Sequence, residues 1–136
     1  PTAGVTLVGA RPPLIAWNVW LPGATLEQAR EIAGRLREGG PAGLPAGRAL
    51  GLWCERAGVA QVSANLEDFR RTPPAAVVAA VRREAGRLGL RAGMSELVGL
   101  VPAAALDGVS PAALGLPRLR PGQVLEAHVP ALRPPA

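Results

Sequence analysis

The stretch QVSANL, residues 61–66, sets Gln61, Ser63 and Asn65 at every second position, with Val62, Ala64 and Leu66 between them. Alternate residues of a β-strand point to opposite faces. The stretch therefore predicts one oily face and one face carrying an amide, a hydroxyl and a second amide. Such groups both donate and accept hydrogen bonds. Asn18, inside LIAWNVWL (14–21), adds another amide, and SELVGL (95–100) adds Ser95 and Glu96. A carboxylate in an otherwise apolar strand points off an edge to water or holds a cationic or amine-bearing group. Arg11, in the turn GARPP (9–13), can fork a carboxylate. Short amides among apolar residues suit a concave, partly dry site where a few polar groups orient a ligand, and they also suit an interface.

Acid–base and covalent chemistry have fewer carriers. The one histidine, His128, lies in a Pro- and Arg-rich tail. No Ser/His/Asp pattern, phosphate-cradling loop or metal-ligand spacing occurs. Cys54 is alone, so it forms no internal disulfide and cannot make a metal site by itself. It reads as a buried thiol acting as a small hydrophobe. The expected set of catalytic residues in these 136 positions is empty, as is the set of metal ligands.

The net charge is +5, and every basic side chain apart from His128 is arginine. The arginines are scattered (Arg30, Arg48, Arg56, Arg82, Arg91, Arg118) rather than packed into a run. A nucleic-acid surface, which needs a basic patch or stripe, is therefore disfavoured. No apolar run reaches the roughly 18 residues of a membrane span. No basic start followed by a long apolar stretch marks a leader at the N-terminus. These features predict a cytoplasmic protein.

The length fits one domain. VTLV (5–8) is a candidate short strand leading into the strand 14–21. Thr25 and Gln28 match a capping box, and Leu26, Ala29, Ile32, Ala33 and Leu36 recur at helical spacing. Together they predict a helix over 26–38, with Gly39 as its stop. Strands near 48–54 and 59–66 flank ERAG as a hairpin. Thr72 is the expected N-cap and Pro73 the first position of a second helix, whose buried stripe is Val77, Val78, Val81, Ala85 and Leu88. RAGMSELVGLVP (91–102) is a last strand. Pro102 and Ser110-Pro111 can start short helical turns.

This order predicts an α+β, ferredoxin-like βαββαβ fold, an antiparallel sheet with both helices on one face. The expected organisation is a single domain over 1–136, with its core at about 4–106 and an irregular tail over 107–136. The first and third strands would lie side by side in the centre, with Asn18, Gln61, Ser63 and Asn65 together on the uncovered face.

Several stretches, taken in order, resemble one family. GVTLVGARPPLIAWNVWL (4–21), ALGLWCERAGVAQVSANL (49–66), RRTPPAAVVAAVRREAGRLGL (70–90) and SELVGLVPAAAL (95–106) look like the C-terminal subdomain of glutamate formimidoyltransferase. The resemblance implies transfer of a formimino group from N-formiminoglutamate to tetrahydrofolate, a step of histidine degradation and one-carbon metabolism. It implies tetrahydrofolate as co-substrate, no metal, and a folate groove between two subdomains. The catalytic histidine would belong to an N-terminal subdomain, supplied by the same longer chain or by a partner chain. His128 does not match it, and the 136 residues alone would be inactive. The expected folate- and substrate-binding residues are Arg11, Asn18, Gln61, Ser63, Asn65, Ser95 and Glu96.

The sequence departs from the family pattern at four places. AWNVWL stands where the family usually reads like AYNVNL, so Trp17 replaces a Tyr and Trp20 an Asn. Ala64 stands where the family has Met, and Met94 where it tends to a small residue. Trp20 adds roughly 200 Å² of ring surface to the candidate ligand face. The alternative reading is a stand-alone module that forms a homodimer through the open sheet, with Trp20 as its aromatic anchor.

Overall fold

A computed structural model describes residues 4–10 and 12–128. Four strands and two helices alternate as β1 (Ile15–Leu21), α1 (Leu26–Leu36), β2 (Gly47–Cys54), β3 (Val59–Leu66), α2 (Pro74–Arg87) and β4 (Ser95–Val98). The strands form one antiparallel sheet in the order β2-β3-β1-β4, so β3 and β1 are its centre. This is the α+β ferredoxin-like architecture that the element order predicts.

Alternation along the strands divides the sheet into two faces. Ile15, Trp17, Val19 and Leu21 of β1 and Val62, Ala64 and Leu66 of β3 are buried with Ala29, Ile32, Ala33 and Leu36 of α1 and Val77, Val78, Val81 and Ala85 of α2. One face is thus closed by both helices. Trp17 is fully buried, and its indole N–H has no acceptor. Removing about 200 Å² of ring from water at about 25 cal/mol per Å² is worth about 5 kcal/mol. An orphan donor costs about 1–3 kcal/mol, so the apolar term wins at this position.

Local chemistry sets the ends of the elements. The Thr25 hydroxyl accepts from Gln28 N and the Gln28 side chain accepts from Thr25 N, which completes the capping box of α1. The helix ends at Leu36, two residues short of the predicted end, with Arg37 as its C-cap. Helix α1 crosses β2 at Gly51, where an added Cβ would fall 2.2 Å from the backbone nitrogen of Arg30. Only a residue without a side chain allows so close a crossing.

Four local expectations differ from the structure. Pro73, not Thr72, is the N-cap of α2, and the Thr72 hydroxyl donates instead to the Pro45 carbonyl at 2.6 Å. Thr72 therefore ties the α1–β2 loop to the start of α2. Residues 5–8 join no strand, and Val5, Leu7 and Val8 are exposed. The last strand is shorter than predicted, because only Ser95–Val98 pairs with β1. Cys54, at the end of β2, is half-buried rather than enclosed.

The segment after β4 is irregular but packed. Short 3-10 turns occupy Ala103–Leu106, Pro121–Gln123 and Leu125–Ala127. Leu114 and Leu116 enter the core, Ser95 N donates to Gly115 O, and Val101 bridges Val124 in parallel. The segment thereby covers the outer edge of β4, an edge that would otherwise present unpaired backbone groups.

Candidate functional site: the open sheet face

No helix among the described residues covers the second face of the sheet. Its side chains follow from the register. Arg48, Asn65, Ala16 and Val98 stand in one row, and Leu50, Ser63, Asn18 and Glu96 in the next. Leu52, Gln61 and Trp20 form the third. Neighbouring strands lie about 4.8 Å apart, so Ser63, Asn18 and Glu96 make a polar line about 10 Å long across three strands.

The line is partly organised. Asn18 is 92% enclosed and donates through Nδ2 to Glu96 Oε2 at 3.0 Å. That contact fixes the amide and leaves the Asn18 carbonyl oxygen as an acceptor. Gln61, Ser63 and Asn65 make no side-chain hydrogen bond to the described residues, so their donors and acceptors remain available. Around them Leu50, Leu52 and Val98 are exposed, and Trp20 is half-buried. Exposed apolar side chains beside a few polar groups make a face that a ligand or a protein partner can cover.

Two depressions flank the line. One, of about 510 Å³, lies toward β2 and is lined by Ser63, Asn65, Leu50, Arg48, Arg37 and Glu67. Its charges are largely spoken for: Arg48 pairs with Glu67, and Arg37 Nε donates to Ala49 O at 2.8 Å. The other, of about 380 Å³, lies toward β4 between Trp20, Met94 and Glu96 and the chain at Leu116, Arg118 and Arg120. Sequence reasoning missed this second wall. Its residues come from an irregular segment, and the only local signal is the alternation of arginine and leucine in Arg118-Leu119-Arg120.

The structure brings Asn18, Gln61, Ser63, Asn65 and Glu96 onto one face. It does not bring Ser95 there. Ser95 pairs with Val19 and shares that residue's covered side, where its hydroxyl is buried with no partner. Adjacent strand residues point opposite ways, so Glu96 on the open face forces Ser95 off it. Arg11 lies outside the described residues. His128 sits in the last 3-10 turn region with Nε2 3.0 Å from Gly122 O, away from the polar line. Among the described residues, no group of three or more His, Cys, Asp or Glu side chains could hold a metal ion. No helix among them is long and apolar enough to cross a membrane.

Comparison with known proteins gives consistent matches. Residues 16–111 match the family model of the formiminotransferase domain. The chain is 45% identical over 111 residues to the formimidoyltransferase-cyclodeaminase of Rattus norvegicus, covering 78% of this chain and 20% of that protein. It is 40% identical over 110 residues to the glutamate formimidoyltransferase of Streptococcus pyogenes serotype M1, covering 81% of this chain and 36% of the relative. The corresponding enzyme of Thermoplasma acidophilum is 37% identical over 124 residues, 91% of this chain and 41% of its own length. The chain therefore spans about a fifth to two fifths of the length of these relatives.

Proposed function

Because the chain belongs to the formiminotransferase domain family, we propose that it is the folate-binding half of a glutamate formimidoyltransferase. In this reading it corresponds to the C-terminal subdomain and works with a histidine-bearing N-terminal subdomain, in a longer chain or a partner chain. The complete protein moves a formimino group from N-formiminoglutamate to tetrahydrofolate, in the cytoplasm, as a step of histidine degradation.

The observation that carries the reading is the line Ser63–Asn18–Glu96 on a sheet face left open by both helices. Asn18, Ser63 and Asn65, with Gln61 at the next row, supply donors and acceptors to the flat heterocycle of the folate or to the formimino donor. Glu96 orders an amine-bearing group, and Arg11 holds a glutamate carboxylate. Trp20 and Leu50 give the ring an apolar floor. Holding both reactants in one groove supplies proximity, and the partner's histidine moves the proton. This half binds and orients.

A calorimetric titration of tetrahydrofolate into the 136-residue chain tests the reading. Saturable binding is expected, weakened by about 1–3 kcal/mol in Asn18→Ala, the usual cost of leaving a buried polar partner unmatched. A flat titration of the folded chain, both alone and together with a histidine-bearing N-terminal subdomain, contradicts it.

A second reading has its own support. Leu50, Leu52 and Val98 are exposed to 55%, 41% and 51% on the same face. A homodimer through that face, with Trp20 as anchor, would cover them.

A further inference from the structure

Two parts of the molecule lack a partner and match each other. The first is the segment 5–8. Val5, Leu7 and Val8 are each at least 90% exposed, more than any other large apolar side chain among the described residues. With Thr6 they have the make-up of a short strand. Paired as one, Val5 and Leu7 share one side and Thr6 and Val8 the other.

The second is the outer edge of β2. The sheet order gives β2 a neighbour on one side only. Gly47 O accepts from Glu38 N, and Ala49 O accepts from Arg37 Nε. The odd-numbered residues of β2 therefore turn their backbone groups outward, as alternate residues of an antiparallel edge strand do. Gly51 and Trp53 follow the same alternation, and among the described residues their outward groups have no partner. Apolar side chains are exposed on both sides of this edge, Trp53 on the covered side and Leu50 and Leu52 on the open side. Such an edge is a template for a further strand. The strand must come without a helix of its own, because α1 already crosses closely over Gly51.

The connection fits in direction and in reach. β1 and β2 both pair antiparallel with β3, and Ile15 and Gly47 both stand opposite Leu66, so the two strands start at one end of the sheet. A strand over 5–8 that feeds β1 through residues 9–14 runs toward that end, and so antiparallel to β2. The place beyond β2 is three strand spacings from β1, about 14 Å. Six extended residues reach about 20 Å.

We infer that residues 5–8 are a strap that closes the outer edge of β2 as a fifth, antiparallel strand, and that the structure holds it open. Closure covers Val5, Leu7 and Val8 together with Leu50, Leu52 and Trp53. It gives the outward groups of Gly51 and Trp53 their partners. It also raises a wall along the depression toward β2, whose lining includes Ala49 and Leu50. The inference concerns the sheet edge and stands whether or not the open face binds folate.

Amide hydrogen exchange of the full chain, read residue by residue in 1H–15N spectra, tests it. The Gly51 and Trp53 amides are expected to exchange at least about tenfold more slowly than in a variant lacking residues 1–8. Residues 5–8 lie outside the core, so amides of β1 and β3 are expected to keep their rates and serve as the control. The double variant Thr6→Pro/Leu7→Pro puts one proline at a paired position in either register. It is expected to release the same two amides. Equal exchange at Gly51 and Trp53 in the parent and both variants overturns the inference. So does protection that grows with protein concentration, because the added strand would then come from a second copy.

Discussion

Asn18 is both packed and functional in this account, and the two roles follow from its strand position. Its neighbours Trp17 and Val19 point under the helices, so Asn18 must point to the open face, where Glu96 fixes it through one hydrogen bond. Glu84 shows a different use of a carboxylate. It is buried on α2, with Arg35 of α1 at 2.6 Å and Arg83 and Arg87 at 3.3 and 3.6 Å. The hydrogen bond from Arg35 holds its pKa below the ordinary value of 4.5, against the opposing effect of burial. A depressed folded-state pKa means stability that is present above the unfolded value and lost as pH falls through the folded one. Glu84→Gln should therefore lower stability on the order of 1 kcal/mol at neutral pH. The gap from the parent should close as pH drops below 4.5 in urea-unfolding series. An unchanged gap across that range would remove the ion cluster as its cause. At this scale the sequence was legible for Asn18, Gln61, Ser63 and Asn65, because period two assigns their face. The same rule separates Ser95 from Glu96. What it could not reveal was the bond between Asn18 and Glu96, which joins residues 78 positions apart.

The elements were readable where local chemistry decides them. The Thr25–Gln28 box appears as the spacing predicts, and so do the apolar stripes of α1 and α2 except at one end of each, where Leu26 is half-buried and Leu88 is the half-buried C-cap beyond the helix. Thr25→Ala should cost about 1 kcal/mol, measured by thermal unfolding, because one first-turn donor loses its acceptor. Gly51→Ala should cost more, about 3 kcal/mol, because the new methyl meets the backbone of Arg30 and Ala29 and α1 must lift from β2. A stability equal to the parent's would show that the helix shifts freely. Where tertiary contacts decide, the sequence misled. Thr72 looks like a cap but serves the Pro45 carbonyl. The chain beyond Leu106 reads as coil from its Pro and Arg content, yet Leu114 and Leu116 are core residues and Gln123 clamps the edge of β4. No periodicity announces such packing, since irregular backbone carries none.

For the whole molecule, the two faces have separate duties. The covered face contains the buried apolar side chains that hold the fold together, and the open face is the one the proposed function uses. Its exposed Leu50, Leu52 and Val98 raise the choice between a folate, a second copy and the remainder of a longer enzyme. Sedimentation equilibrium of the chain should give a monomer in the folate reading. A tight dimer indifferent to folate would favour assembly through this face. The most direct measurement is a 1H–15N map of the chain titrated with tetrahydrofolate. The account predicts shifts concentrated at Asn18, Ser63, Asn65 and Glu96. Shifts confined to α1 and α2, or a spectrum that does not change at all, would contradict it.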